Sequence, residues 1–90
     1  MVGKRKASTL LATQTARLIR LDRRLRYCTV TFDELLRELC ISPATLKRDL
    51  TALREELGAP LCWDAVQRGY RYVKPWAGVV SALMDEAAAA

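Results

Sequence analysis

Histidine is absent from the chain, and cysteine, glycine and proline are scarce, at three, four and three of 90 residues. Without an imidazole the usual zinc ligand sets cannot be assembled, and Cys28, Cys40 and Cys62 form no C-x-x-C pair. Their odd number leaves no complete disulfide framework, so they read as reduced, small apolar fillers. No apolar run approaches the roughly 18 residues of a membrane span. The opening MVGKRK, followed by TLLATQTARLIR, is too polar for a signal peptide. The expectation is a cytoplasmic protein with no membrane partner. A Gly-rich phosphate loop, a metal cluster and a buried-looking carboxylate pair are all missing. Nothing is left to run acid-base or nucleophilic chemistry, so no enzyme, catalytic residue, metal or cofactor is expected.

What the chain does hold is aliphatic and basic. With 51% hydrophobic and 28% charged residues, its length fits one small domain near the lower limit for a single core. The net charge of +5 is unevenly placed. Residues 1–30 carry eight Lys/Arg against one acid, residues 31–60 four against six, and residues 61–90 three against three. An excess concentrated in Lys4, Arg5, Lys6, Arg17, Arg20, Arg23, Arg24 and Arg26 suits a polyanionic partner; a solvated helix face is the plain alternative.

Hydrophobic spacing divides the chain into elements. From Thr9 to Arg26, Leu11, Leu18, Leu21 and Leu25 fall on one helical face and Arg17, Arg20 and Arg24 on another. Thr29-Val30-Thr31 has the β-branched composition of a very short strand. Thr31 and Glu34 make a capping box for a second helix over about Phe32–Leu39, with Phe32, Leu35, Leu36 and Leu39 in helical register. Only Cys40 and Ile41 precede Ser42-Pro43, a favoured N-cap and first helical residue. A third helix then runs to Leu57, with Leu46, Leu50, Leu53 and Leu57 on one face, and Gly58 and Pro60 stop it. Leu61–Asp64 and Tyr70–Lys74 flank Ala65–Gly69 as a hairpin with a five-residue loop. After Pro75 the pattern weakens, and Val79–Ala90 reads as a frayed or partner-dependent tail.

Three helices with a tight second turn and a following hairpin describe a winged helix-turn-helix, mainly α with a two-stranded wing. The parts are a basic arm (1–8), the winged domain (9–74) and a linker or helical tail (75–90). In that architecture the third helix enters the DNA major groove while the second crosses the backbone. Cations near the start of the third helix, where the helix dipole disfavours them, then have a reason: that end would approach phosphates.

The stretch Ala16–Val73 resembles the winged helix-turn-helix of DeoR-type bacterial regulators, above all those with a C-terminal WYL ligand-sensing domain. The resemblance rests on Glu34-Leu35, Ser42, Thr45, Lys47-Arg48-Asp49-Leu50, Leu53, Gly58-Ala59-Pro60-Leu61, Trp63-Asp64 and Gly69-Tyr70. It covers about two thirds of the chain. Four places depart from the family pattern. Leu36 stands where a small residue is usual, and Cys40 where Gly fills the left-handed turn at a saving of roughly 1 kcal/mol. Pro43 and Ala44 stand where arginine is frequent, and Arg68-Gly69 where a Gly pair is common. The resemblance implies a transcription regulator bound to double-stranded DNA, self-associating on DNA or through C-terminal domains outside this chain. Pro75–Ala90 is too short to enclose a ligand pocket, so the DNA-reading half is expected here and the sensor elsewhere.

The third helix over about 43–57 would offer Ala44, Thr45, Lys47, Arg48 and Thr51 to base edges, and the wing over about 61–74 would reach the flanking groove or backbone. Phosphate candidates are Arg17, Arg20, Arg24, Thr31, Ser42, Arg68 and Arg71. Asp49 suits an orienting partner for an arginine, since a carboxylate facing phosphate is repelled. Ser42 is a cap first, and Trp63, Tyr70 and Tyr72 suit core positions on the hairpin. Two other classes compete. One is a winged helix used for protein docking, which the net negative middle third would fit. The other is single-stranded nucleic acid bound through the hairpin aromatics.

Overall fold

The computed structural model describes residues 12–89, with side chains over 13–85. The proposed basic arm, the first turn from Thr9 and the side chain of Leu11 lie outside the described residues. Within them the chain is mainly helical, with one two-stranded antiparallel sheet. The order is α1 (Ala12–Tyr27), α2 (Phe32–Leu39), α3 (Pro43–Thr51, extended by a wider turn over Ala52–Glu56), β1 (Leu61–Asp64), β2 (Gly69–Tyr72) and α4 (Val79–Ala89).

The starts of α2 and α3 are set by local chemistry. At α2 the Thr31 hydroxyl accepts from Glu34 N at 3.1 Å, and Thr31 N donates back to Glu34 Oε1 at 2.9 Å. That reciprocal pair satisfies two of the otherwise orphan amides of the first turn. At α3, Ser42 Oγ accepts from Thr45 N at 3.2 Å, and Pro43 follows with its φ already suited to a helix. Cys40 closes α2 in the left-handed conformation, φ 55° and ψ 50°, and its N–H donates to Leu36 O. The chain can therefore reverse in two residues between α2 and α3.

The end of α3 departs from the regular helix expected through to Leu57. Leu57 N donates to Ala52 O at 3.0 Å, a span of five residues, and Ala59 N reaches Leu53 O, also at 3.0 Å. One extra residue is thus accommodated in the last turn. Leu53 and Leu57 still both point inward, and Gly58 at φ 77° supplies the left-handed stop.

The core lies between the three helices and the sheet. Leu18, Leu21 and Leu25 of α1 meet Leu35 and Leu39 of α2 and Leu46, Leu50 and Leu53 of α3, all buried. Each is worth about 1.5–3 kcal/mol relative to exposure. The sheet pairs Leu61 with Tyr72 and Asp64 with Gly69, so the loop is Ala65–Arg68, four residues instead of five. Position 69 requires glycine for a steric reason: a Cβ there would lie 2.7 Å from Val30 O. The short strand expected over Thr29–Thr31 is reduced to a single bridge, Val30 lying antiparallel to Tyr70 with Val30 N to Tyr70 O at 3.0 Å and Tyr70 N to Val30 O at 2.8 Å.

The C-terminal segment corrects the expectation of a frayed tail. Val79 is 1% exposed, in the same core, and α4 packs on α1. The approach is fixed by one carboxylate, the buried Asp22 of α1. Its Oδ1 accepts from Tyr72 Oη at 2.6 Å and from Trp76 Nε1 at 3.1 Å, while Oδ2 accepts from Arg26 Nε at 3.2 Å. Three donors offset the cost of burying the charge. Burial, and then the bond to Asp22, push the Tyr72 hydroxyl well above the ordinary phenol range. Among the described residues no helix is long and apolar enough to cross a membrane.

Candidate nucleic-acid interface

α3 has two unlike sides. Leu46, Asp49, Leu50 and Leu53 are buried, whereas Ala44, Lys47, Arg48 and Thr51 are exposed and Thr45 half-exposed. The spacing of 44, 48 and 51, with 45 and 47 beside them, makes one continuous stripe on a helix. Within it the polar groups are linked. Ser42 Oγ donates to Thr45 Oγ1 at 3.0 Å, and Arg48 Nη2 reaches the same oxygen at 3.4 Å. A cap hydroxyl, a threonine and an arginine thus run along the outer side of α3 at successive turns. Lys47 stands next to them, bound to no acid among the described residues.

Opposite that stripe, Asp49 is fully buried and takes the part expected of it, with Arg17 as its arginine. Arg17 Nε donates to Oδ2 at 2.6 Å and Nη2 to Oδ1 at 3.1 Å, and Gln14 Nε2 donates to Oδ1 at 3.0 Å. A two-pronged guanidinium bond of this sort is among the stronger charge-assisted contacts. The hydrogen bond to Asp49 raises the Arg17 pKa further. The bond holds α1 against α3 and turns Arg17 away from solvent.

The other phosphate candidates divide by what already engages them. Arg24 donates through Nε and Nη2 to the two carboxylate oxygens of Glu38 at 2.6 and 2.9 Å, and through Nη1 to Cys28 Sγ at 3.1 Å. Those bonds raise the Arg24 pKa, and the Arg24 bond holds the Glu38 carboxyl below its usual range. Arg20 Nη2 donates to the Glu38 carbonyl at 2.9 Å. The basic side of α1 therefore faces acceptors on α2 and α3, because Glu38 and Asp49 come within hydrogen-bond reach of it. Thr31 is engaged in its capping box, and Ser42 in the cap of α3.

On the hairpin, Arg71 Nε donates to Asp64 Oδ2 at 3.0 Å. Asp64 Oδ1 also receives Val66 N at 2.9 Å and Gln67 N at 3.0 Å, closing the loop. The Gln67 amide is the main reason the Asp64 carboxyl sits below its usual range. Arg68 is different: it is exposed at the loop's end, with φ 59°, and no acid among the described residues pairs with it. Beside it Val66 is 92% exposed.

Two features escaped the sequence reading. Trp63 is 51% exposed, not core, and meets Tyr70 edge-on at a centroid distance of 5.0 Å; Tyr70 in turn lies 6.4 Å from Phe32. Its position beyond the helices, near the hairpin tip, decides this, and alternation along a strand does not report it. The Asp22 junction was also hidden, since its donors lie 50 and 54 residues away. Comparison with known proteins finds no matching family model, no similar curated protein and no similar solved structure.

Proposed function

We propose that the chain is a sequence-specific double-stranded DNA-binding domain of a bacterial transcription regulator, built as a winged helix-turn-helix of the DeoR type. In this reading α3 enters the major groove and the hairpin, as the wing, lies on the flanking groove or backbone. Self-association on DNA, or through domains outside this chain, belongs to the same proposal. One observation carries it: a helix clamped on one side by leucines and the Arg17–Asp49 bond shows on its other side, over Pro43–Thr51, small residues and two cations that no acid among the described residues pairs. Small side chains allow the backbone to approach a groove floor, and the cations meet the phosphates and bases there.

The exposed indole of Trp63, with Tyr70 beside it, favours a second reading, stacking on single-stranded bases. Titration against duplex and single strands over a salt series separates the two. With Arg20, Lys47 and Arg68 as contacts, about three phosphates are neutralised. Duplex affinity should then fall by a factor on the order of 40 between about 50 and 200 mM salt. Affinity that ignores salt would refute nucleic-acid binding and favour protein docking; preference for single strands would move the site to Trp63.

A further inference from the structure

We infer that Arg48 reads a guanine, through its O6 and N7 in the major groove, and is the residue that sets base preference at the centre of α3. This rests on the duplex-binding reading above and names the base it would select. Arg48 occupies the middle of the exposed stripe, one turn from Thr45 and from Thr51. Its neighbours Ala44, Thr45 and Thr51 are all short, so Arg48 and Lys47 alone reach far from the helix. The two differ in chemistry. A lysine ammonium is a compact point charge on a flexible stem, whereas a guanidinium presents a rigid planar fork that matches the two acceptors of guanine in a single geometry.

The fork is also positioned. Thr45 Oγ1, itself held by Ser42 Oγ at 3.0 Å, accepts from Arg48 Nη2 at 3.4 Å. That contact uses one of the five N–H groups, and whichever Nη2 hydrogen it takes, one two-donor edge of the guanidinium stays intact. Among the described residues no carboxylate bonds that edge: Asp49 is buried under Arg17, Glu55 is bonded to Arg54, and Glu56, which shares a surface hollow with Lys47 and Arg48, makes no ion pair with either. Arg17, Arg24, Arg26 and Arg71 each already donate to a carboxylate, Asp49, Glu38, Asp22 and Asp64 respectively. Arg68 is free but sits on the hairpin loop, away from this helix.

The test begins with selection from a pool of random-sequence duplexes, followed by replacement of each guanine of the retained duplex, singly, with 7-deazaguanine. That base pairs normally but lacks N7. One guanine per bound protomer should be sensitive, its replacement weakening wild-type binding by about 5- to 100-fold, the range of a lost bidentate contact. The same replacement should change binding of Arg48→Ala less than twofold. Thr45→Val should reduce the sensitivity and Thr45→Ser restore it, which a merely structural threonine would not do. A wild-type protein that binds its selected duplex with no sensitive guanine, or variants as sensitive as wild type, would overturn the assignment while leaving duplex binding intact. Failure of the pool to yield any retained duplex would overturn both.

Discussion

Cys40 and Arg68 hold φ 55° and 59°, in the region where a Cβ crowds the following carbonyl. The first makes the short reversal between α2 and α3, the second ends the hairpin loop. Cys40 is exposed, and its Sγ makes only a long contact of 3.5 Å to Arg37 O. Cys40→Gly therefore removes strain and almost no packing, and should raise stability by about 0.5–1 kcal/mol, read as a higher urea midpoint. A lower midpoint would show that the thiol packs more than its exposure implies. At Arg68 the same change separates two effects. Arg68→Gly should gain similar stability, yet under the proposed function it should weaken binding to every duplex alike, because a phosphate contact carries no sequence information. Strain retained where glycine would be easier is itself a reason to look for a role in the side chain.

Between elements, the bond that fixes α3 on α1 is unequal in its two partners. The Asp49 side chain is fully buried, while that of Arg17 is 20% exposed. Removing the arginine leaves a buried carboxylate with only Gln14 as donor, so Arg17→Ala should cost about 3–5 kcal/mol. Asp49→Ala leaves a guanidinium that can turn to water and should cost less, about 1–3 kcal/mol. Chemical denaturation of both singles and the double variant checks this, and a double variant equal to the sum would deny the coupling. The helix starts were legible because their chemistry is local: Thr31 with Glu34, and Ser42 with Pro43, carry their own partners within three residues. Gly58 marked the stop of α3 for the same reason. The widened turn at Ala52–Glu56 left no mark, since its leucine spacing equally suits a regular helix. Which arginines remain free was illegible too. Arg17, Arg20 and Arg24 look alike in sequence, and Glu38 and Asp49, brought over by packing, decide what each one faces.

Over the whole molecule, stability should be bounded on both the acid and alkaline sides. Glu38, bonded to Arg24, Asp64, held by the Gln67 amide, and Glu34, held by Thr31, all ionise below their ordinary values of 4.5, 3.8 and 4.5. As acid is added the unfolded chain takes up protons at these groups first. Their contribution is thus present above about pH 4.5 and falls away as pH drops through the lowered folded values. Tyr72 has the opposite sign. Unfolded tyrosine loses its proton near 10.0, while burial and Asp22 retain it in the fold. Stability is therefore held below about pH 10 and declines as pH rises beyond it. Urea midpoints across pH should show both limbs, and Tyr72→Phe should flatten the alkaline limb. The junction at Asp22 has an optical consequence as well. The chain has two tryptophans, and Trp76 lies half-buried with its indole N–H on that carboxylate, edge-on to Tyr72, whereas Trp63 is open to water. A Trp63→Phe protein would emit from Trp76 alone, at the point where hairpin, α1 and the approach to α4 share one anchor. Loosening any of the three should shift that emission to longer wavelength before the helices melt, so the fold carries its own fluorescent gauge of how firmly the hairpin is seated.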